Sequence, residues 1–272
     1  MRIHAIRTGS VRVKTAQVTA QGQGLARQAA PLFDDQWTEW LPTYAWAIEH
    51  AEGVIVVDTG SAAHLMSPPK WHPYFSYAVQ FDIESEQEVG PQLRRLGIGS
   101  KDVRKVVLTH LHIDHDAGLH HFPHSTLFAD ADEISCASGI RGRILGYLPN
   151  RWPEWFDPQA LNFENKPFGP FARSSKLTSI GDVIAVPTPG HTPHHISVVV
   201  LDGDKTIFLA GDASYTERHM LDLSIDGVSP DESIAMKTLS DIRDLGSQRP
   251  TVYLPTHDPN SALRLENREV VS

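Results

Sequence analysis

The sequence predicts an α/β fold, and three observations carry that prediction. Seven short runs rich in β-branched residues read as buried strands. Two amphipathic stretches with their own start and stop signals lead into such runs, as alternating αβ units do. Four of the runs deliver Asp58, His110, Asp212 and His257 at or near their ends, and the ends of strands are where α/β proteins build their sites.

The strand-like runs are GVIVVDTG (53–60), VRKVVLTH (103–110), STLFAD (125–130), DVIAVPTPG (182–190), ISVVVLD (196–202), KTIFLAGD (205–212) and TVYLPTHD (251–258). Asp58, His110, Asp212 and His257 stand at the polar ends. The helix signal over SPDESIAMKTLSDIRDLG (229–246) predicts Ser229 as N-cap, Pro230 at the first helical position and Glu232 closing a capping box. Ile234, Thr238, Leu239, Ile242 and Leu245 form its apolar face, and Gly246 ends it. SEQEVGPQLRRLG (85–97) repeats the pattern through Ser85, Glu88, Val89, Leu93, Leu96 and Gly97, with an internal Gly-Pro.

The chain has 272 residues, enough to bury most of its apolar surface without covalent staples. It reads as a single domain, 1–272, with aromatic, proline-punctuated loop insertions at about 61–84 and 139–175. The stretch 15–40 fits either a dimer arm or a pocket wall, so a homodimer is one expectation. A net charge of −9 argues against nucleic-acid or anionic-membrane partners, which reward a basic face. The only cysteine, Cys136, can form no internal disulfide, which fits a reducing compartment. No signal-peptide pattern opens the chain and no run reaches the length of a membrane span, so a cytoplasmic protein is expected.

The 15 histidines are unevenly placed, crowding into 110–124 and 191–195 with another at 257. In THLHIDHDAG, His110 closes a strand, and His112 follows two residues later, so both rings can aim at one point. Asp114 and His115 fit a second point beside the first. Imidazole and carboxylate are ligands for zinc and similar divalent ions, and a metal explains why such groups would gather. His191 after a Pro-Gly turn, Asp212 and His257 supply further ligands from three other loops. Five histidines and two aspartates suit a binuclear site with one bridging carboxylate. His120, His121, His124 and His219 read as exposed or capping residues, and His194 as a surface residue.

His-x-His-x-Asp-His at 110–115, then His191, Asp212 and His257 in that order, resembles the metallo-β-lactamase superfamily, as does VDTG at 57–60. The resemblance implies a four-layered αβ/βα sandwich with two divalent metals, zinc first and iron, manganese or cobalt as alternatives. It places His110, His112 and His191 on one metal, Asp114, His115 and His257 on the other, and Asp212 between them. True β-lactamases lack the bridging aspartate, and their cysteine-using classes would need a cysteine near 212. Diiron oxygen reductases carry a carboxylate where this chain has His112. Glyoxalase II adds a C-terminal glutathione-binding region, whereas a short tail follows His257 here.

GDASYT (211–216) places Tyr215 three residues past Asp212, a pattern similar to that of the N-acyl-homoserine lactonases, the quorum-quenching branch. The expectation is therefore a metal-dependent hydrolase that opens a lactone ring with a hydroxide shared by the metals. Asp114 would move the proton, and Tyr215 would donate to the developing oxyanion. The acyl chain would rest on aromatic residues such as Trp152, Trp155, Phe156 or Phe168. The alternatives are a metallohydrolase of another ester or thioester, and a non-catalytic metal-binding relative.

Overall fold

A computed structural model describes residues 1–65 and 72–271, so residues 66–71 of the 61–84 insertion lie outside the described residues. The chain divides into two compact units, Met1–Val11 with Pro42–Leu161, and Arg12–Leu41 with Asn162–Ser272.

The first unit is built on a seven-stranded sheet. Its strands are β1 (Arg2–Val13), β2 (Leu41–Glu49), β3 (Val54–Val57), β4 (Val79–Asp82), β5 (Val103–Val107), β6 (Thr126–Ala129) and β7 (Gln159–Ala160), in the order β4-β1-β2-β3-β5-β6-β7. β3, β5, β6 and β7 run parallel, with Val57 opposite Val107 in the register. The three predicted runs thus become parallel neighbours. The apolar ends of β3 and β5 are buried on both faces: Val56, Val57, Val106 and Val107 are wholly buried. Asp58 and Leu108 leave the sheet side by side, and the N–H of Asp58 donates to the Val107 carbonyl at 2.9 Å.

The second unit holds a five-stranded sheet in the order β12-β11-β10-β9-β8. Its strands are β8 (Ser175–Lys176), β9 (Val183–Pro187), β10 (Ile196–Asp202), β11 (Lys205–Gly211) and β12 (Thr251–Pro255). β11 and β12 are parallel, and the other pairs are antiparallel. Parallel pairing brings the ends of β11 and β12 together, so Asp212 and His257 emerge next to each other. The loop from β9 to β10, which carries His191, returns at that same end.

The helix Glu232–Gln248 is capped by Asp231, whose carboxylate accepts from the N–H groups of Ser233 (2.9 Å) and Ile234 (3.1 Å). That corrects the expected Ser229 cap. Ser229 is occupied elsewhere: its N–H donates to Asp226 and its carbonyl accepts from Arg27. Glu232 likewise closes no capping box, because its carboxylate takes the Gly24 N–H and the Arg27 guanidinium. The buried stripe is Ala235, Thr238, Leu239, Ile242 and Leu245, while Ile234 is 46% exposed and Gly246 lies inside the helix. The second predicted helix is shorter than its signal. Ser85–Gln87 is a 3₁₀ turn with a Glu84–Gln87 capping box, and the α-helix runs Val89–Arg95. Pro91 sits in its first turn, where its missing N–H costs nothing. Leu96 is 45% exposed rather than packed.

The 139–175 insertion is mostly core cover. Tyr147 and Leu148 are buried, and Trp152 and Phe156 pack on the first unit's core. Phe168 packs on the second unit's core, and Trp155 is 41% exposed. In the 15–40 stretch, short helices form at Thr15–Val18 and Gly24–Ala29. Among the described residues, no helix is long and apolar enough to cross a membrane.

Gly118 lies just beyond the 110–115 motif, and a β-carbon there would strike the carbonyl of Thr59. Gly118→Ala is expected to lower the stability of the chain by about 1–3 kcal/mol, read from the denaturant midpoint, because the backbone must move to accommodate one methyl.

Candidate metal centre

In the first unit the motif leaves β5 and enters a short helical turn, Ile113–Asp116. His110 and His115 are buried, and His112 and Asp114 are half-buried. The organising group is Asp58, one of few non-glycine residues with a left-handed backbone (φ 56°). That conformation is uncommon and turns its carboxylate towards the motif. Asp58 accepts from the Thr109 N–H (2.7 Å), the Thr109 hydroxyl (2.9 Å) and Nδ1 of His115 (2.9 Å).

These bonds assign the protons on the rings. A neutral imidazole carries a single N–H. His115 spends it on Asp58, so its Nε2 presents a lone pair. The Thr109 hydroxyl donates to Asp58 and therefore accepts from Nδ1 of His110 (3.1 Å), which leaves the lone pair on His110 Nε2. Nε2 of His112 donates to the Leu145 carbonyl (3.1 Å), which leaves the lone pair on His112 Nδ1. His110 Nε2 and His112 Nδ1 face each other at 3.1 Å. Two facing lone pairs repel unless a cation lies between them. The separation suits two nitrogens that share one ion at about 2.0–2.1 Å each.

The second unit repeats this design. Nδ1 of His191 donates to Asp226 Oδ2 at 2.8 Å, which directs Nε2 outward. Burial by itself would raise the Asp226 carboxyl, but the His191 ring and the Ser229 N–H outweigh it and hold the group below the usual carboxylate range. Oδ2 of Asp212 lies 3.6 Å from His191 Nε2 and 3.3 Å from His257 Nε2. One carboxylate thus stands between two imidazoles. Its backbone is anchored by His195, whose Nε2 accepts the Asp212 N–H (3.0 Å) while Nδ1 meets the Thr188 hydroxyl (2.9 Å). Tyr215 is buried and stacks on His257 with ring centroids 5.5 Å apart. Its hydroxyl oxygen accepts from Gln17 Nε2 at 2.9 Å, a bond that does not spend the hydroxyl proton.

The predicted residues therefore fall into two groups, His110, His112, Asp114 and His115 in one unit and His191, Asp212, Tyr215 and His257 in the other. Sequence reasoning missed the orienting groups. Asp58 was visible only as a strand-end acid in VDTG, and Asp226 and His195 carried no signal beyond their residue type. Asp116 was also unremarked. It is buried, accepts from Trp152 Nε1 at 2.5 Å, and burial pushes its carboxyl up to about 8. Trp152 is thereby fixed as a packed anchor. His124 is exposed, as expected, whereas His219 is half-buried and is not itself the cap: its N–H is capped by Thr216. His120 and His121 are neither simply exposed nor capping, since both approach the carboxylate of Glu88.

Buried imidazoles held by a carboxylate at one nitrogen, as His115 and His191 are, match the way metal-binding proteins orient their ligands. The signature of the metallo-beta-lactamase superfamily matches residues 38–257, and the chain belongs to that superfamily. A probable metallo-hydrolase of Mycobacterium tuberculosis is 32% identical over 174 residues, which is 62% of this chain and 55% of that protein. The match therefore spans little more than half of that relative's length. The N-acyl homoserine lactonase AttM of Agrobacterium fabrum is 24% identical over 269 residues, 96% of this chain and 94% of that one. The crystal structure of a Bacillus thuringiensis AiiA mutant with N-decanoyl-L-homoserine bound at its active site superposes with a TM-score of 0.76. It covers 99% of this chain and 96% of that one at 18% identity, so the chain has the metallo-β-lactamase fold.

Asp226→Asn would set an amide N–H₂ against His191 Nδ1–H and force the other tautomer. Metal affinity, measured by competition with a chelator, is expected to fall about 10–100-fold, and Asp58→Asn should act likewise through His115. Unchanged affinity in both variants would mean that these histidines are not ligands.

Proposed function

We propose that the chain is a metal-dependent hydrolase, acting as one domain, that opens a lactone ring, with N-acyl-homoserine lactones as the substrate class. The observation that carries this reading is the facing pair of His110 Nε2 and His112 Nδ1, whose lone pairs call for a cation. The donor set fits: neutral imidazoles oriented by carboxylates, plus aspartates, suit zinc-type divalent ions. His110, His112 and His191 would hold one ion, Asp114, His115 and His257 the second, and Asp212 would bridge. When bound, the ions supply an acidified water and polarise a substrate oxygen.

The chain's own residues then do the rest. The Tyr215 hydroxyl donates to the carbonyl oxygen as it gains negative charge, and Gln17 holds that hydroxyl in place from its lone-pair side. Asp114 takes a proton on its carboxylate and passes it to the alkoxide of the opened ring. The product is the hydroxy acid. Full-length similarity to an N-acyl homoserine lactonase supports the substrate class, as does the position of Tyr215.

The test is turnover by purified protein of known metal content, against short- and long-chain N-acyl-homoserine lactones, simple γ- and δ-lactones, an aryl ester and a glutathione thioester. Lactones are expected to react fastest, chelation to abolish turnover and added Zn²⁺ to restore it. Asp212→Ala should lose metal and nearly all activity. Tyr215→Phe should keep its metal and lose roughly 10²-fold in kcat, the usual loss for one oxyanion donor. Thioester or aryl-ester turnover without lactone opening would leave a metallohydrolase but remove the lactonase reading.

A further inference from the structure

A second cluster of imidazoles lies within the first unit and shares no residue with the ligands already assigned. His64, in the 3₁₀ turn Ala63–Leu65, stacks edge-on against His120 with ring centroids 4.8 Å apart. His120 and His121 close the 3₁₀ helix Ala117–His121, and their ring centroids are 3.9 Å apart. All three surround the carboxylate of Glu88, which is 5% exposed. Oε1 of Glu88 accepts the Ala63 N–H at 2.9 Å. Oε2 lies 2.7 Å from His121 Nε2 and 3.2 Å from His120 Nε2. Candidate ligand atoms of His64, Glu88 and His120 all lie within 4.8 Å of one another.

We propose that His64, Glu88 and His120 bind a further divalent transition-metal ion of the zinc class, with His121 orienting the Glu88 carboxylate. A divalent ion takes neutral rings and the carboxylate together. Glu88 is prepared for the role: the Ala63 N–H fixes one oxygen and His121 the other, as carboxylate–histidine pairs orient metal ligands elsewhere. Space for the His121 ring depends on Gly90, where any β-carbon would overlap it. Nitrogen-rich donors with one oxygen select zinc, nickel or copper over calcium or magnesium. The site opens to solvent, since the His64 side chain is exposed and that of His120 is 37% exposed. An ion there would tie three segments together, including Ala117–His121, which continues directly from the turn that carries Asp114 and His115.

The test is equilibrium dialysis of the full chain against rising free Zn²⁺, with bound zinc per chain measured by elemental analysis. The wild type is expected to reach a plateau one ion per chain above that of a His64→Ala/His120→Ala double variant. His64→Ala alone removes an exposed side chain, so the fold survives it, and should weaken that last ion at least about tenfold. His124→Ala, an exposed imidazole outside the cluster, should bind as the wild type does. Equal plateaus and affinities in the wild type and the double variant would overturn the proposal, as would equal loss in His124→Ala. Neither result depends on turnover of any substrate.

Discussion

Imidazoles and carboxylates are costly to bury side by side, and four of the rings here are each held by a second bond. His115 leans on Asp58, His191 on Asp226, His110 on the Thr109 hydroxyl and His112 on the Leu145 carbonyl. Each bond takes the ring's one N–H and leaves the other nitrogen as a donor of electrons. The arrangement is thus spent in advance on lone-pair direction, which is what a cation requires and an apolar core does not. Asp58 is the pivot of the first unit. Its left-handed backbone is a local strain, offset by three hydrogen bonds that tie the end of β3 to the start of the motif.

Parallel pairing does the remaining positioning. β3 beside β5 puts Asp58 next to Thr109, and β11 beside β12 puts Asp212 next to His257. Antiparallel strands would send consecutive ends to opposite sides of a sheet. The parallel neighbours bring distant stretches of sequence to one end. In the second unit, the β9–β10 loop adds His191 from the same end, and Asp226 reaches it from a loop before the long helix.

Membership of the superfamily and the metallo-β-lactamase fold follow from the whole length of the match. The chemistry follows from a smaller set of contacts. Tyr215 stacks beside His257 and its hydroxyl is held by Gln17, and these two contacts are what support the proposed donation to an oxyanion. Gln17 comes from the 15–40 stretch, which in this way contacts Tyr215. The aromatic residues of 139–175 are spent mainly on packing, with Trp152 fixed by its bond to Asp116.

The strand runs, the order of the histidines and aspartates, and the family they resemble were all legible in the residues. Strand composition and ligand type are local properties, and seven of the predicted runs became seven of the strands. β1, β2 and the short strands β4, β7 and β8 were not among the predicted runs. The helix cap was misplaced because Ser229 and Asp231 both satisfy the local rule; only the tertiary claim of Asp226 and Arg27 on Ser229 decided between them. The same holds at the metal centre. A sequence can state that His115 and His191 are ligand-type residues, but which nitrogen each presents depends on a carboxylate dozens of residues away. That choice of tautomer, and with it the direction of every lone pair, belongs to tertiary structure alone, since no local rule links Asp58 to His115 or Asp226 to His191.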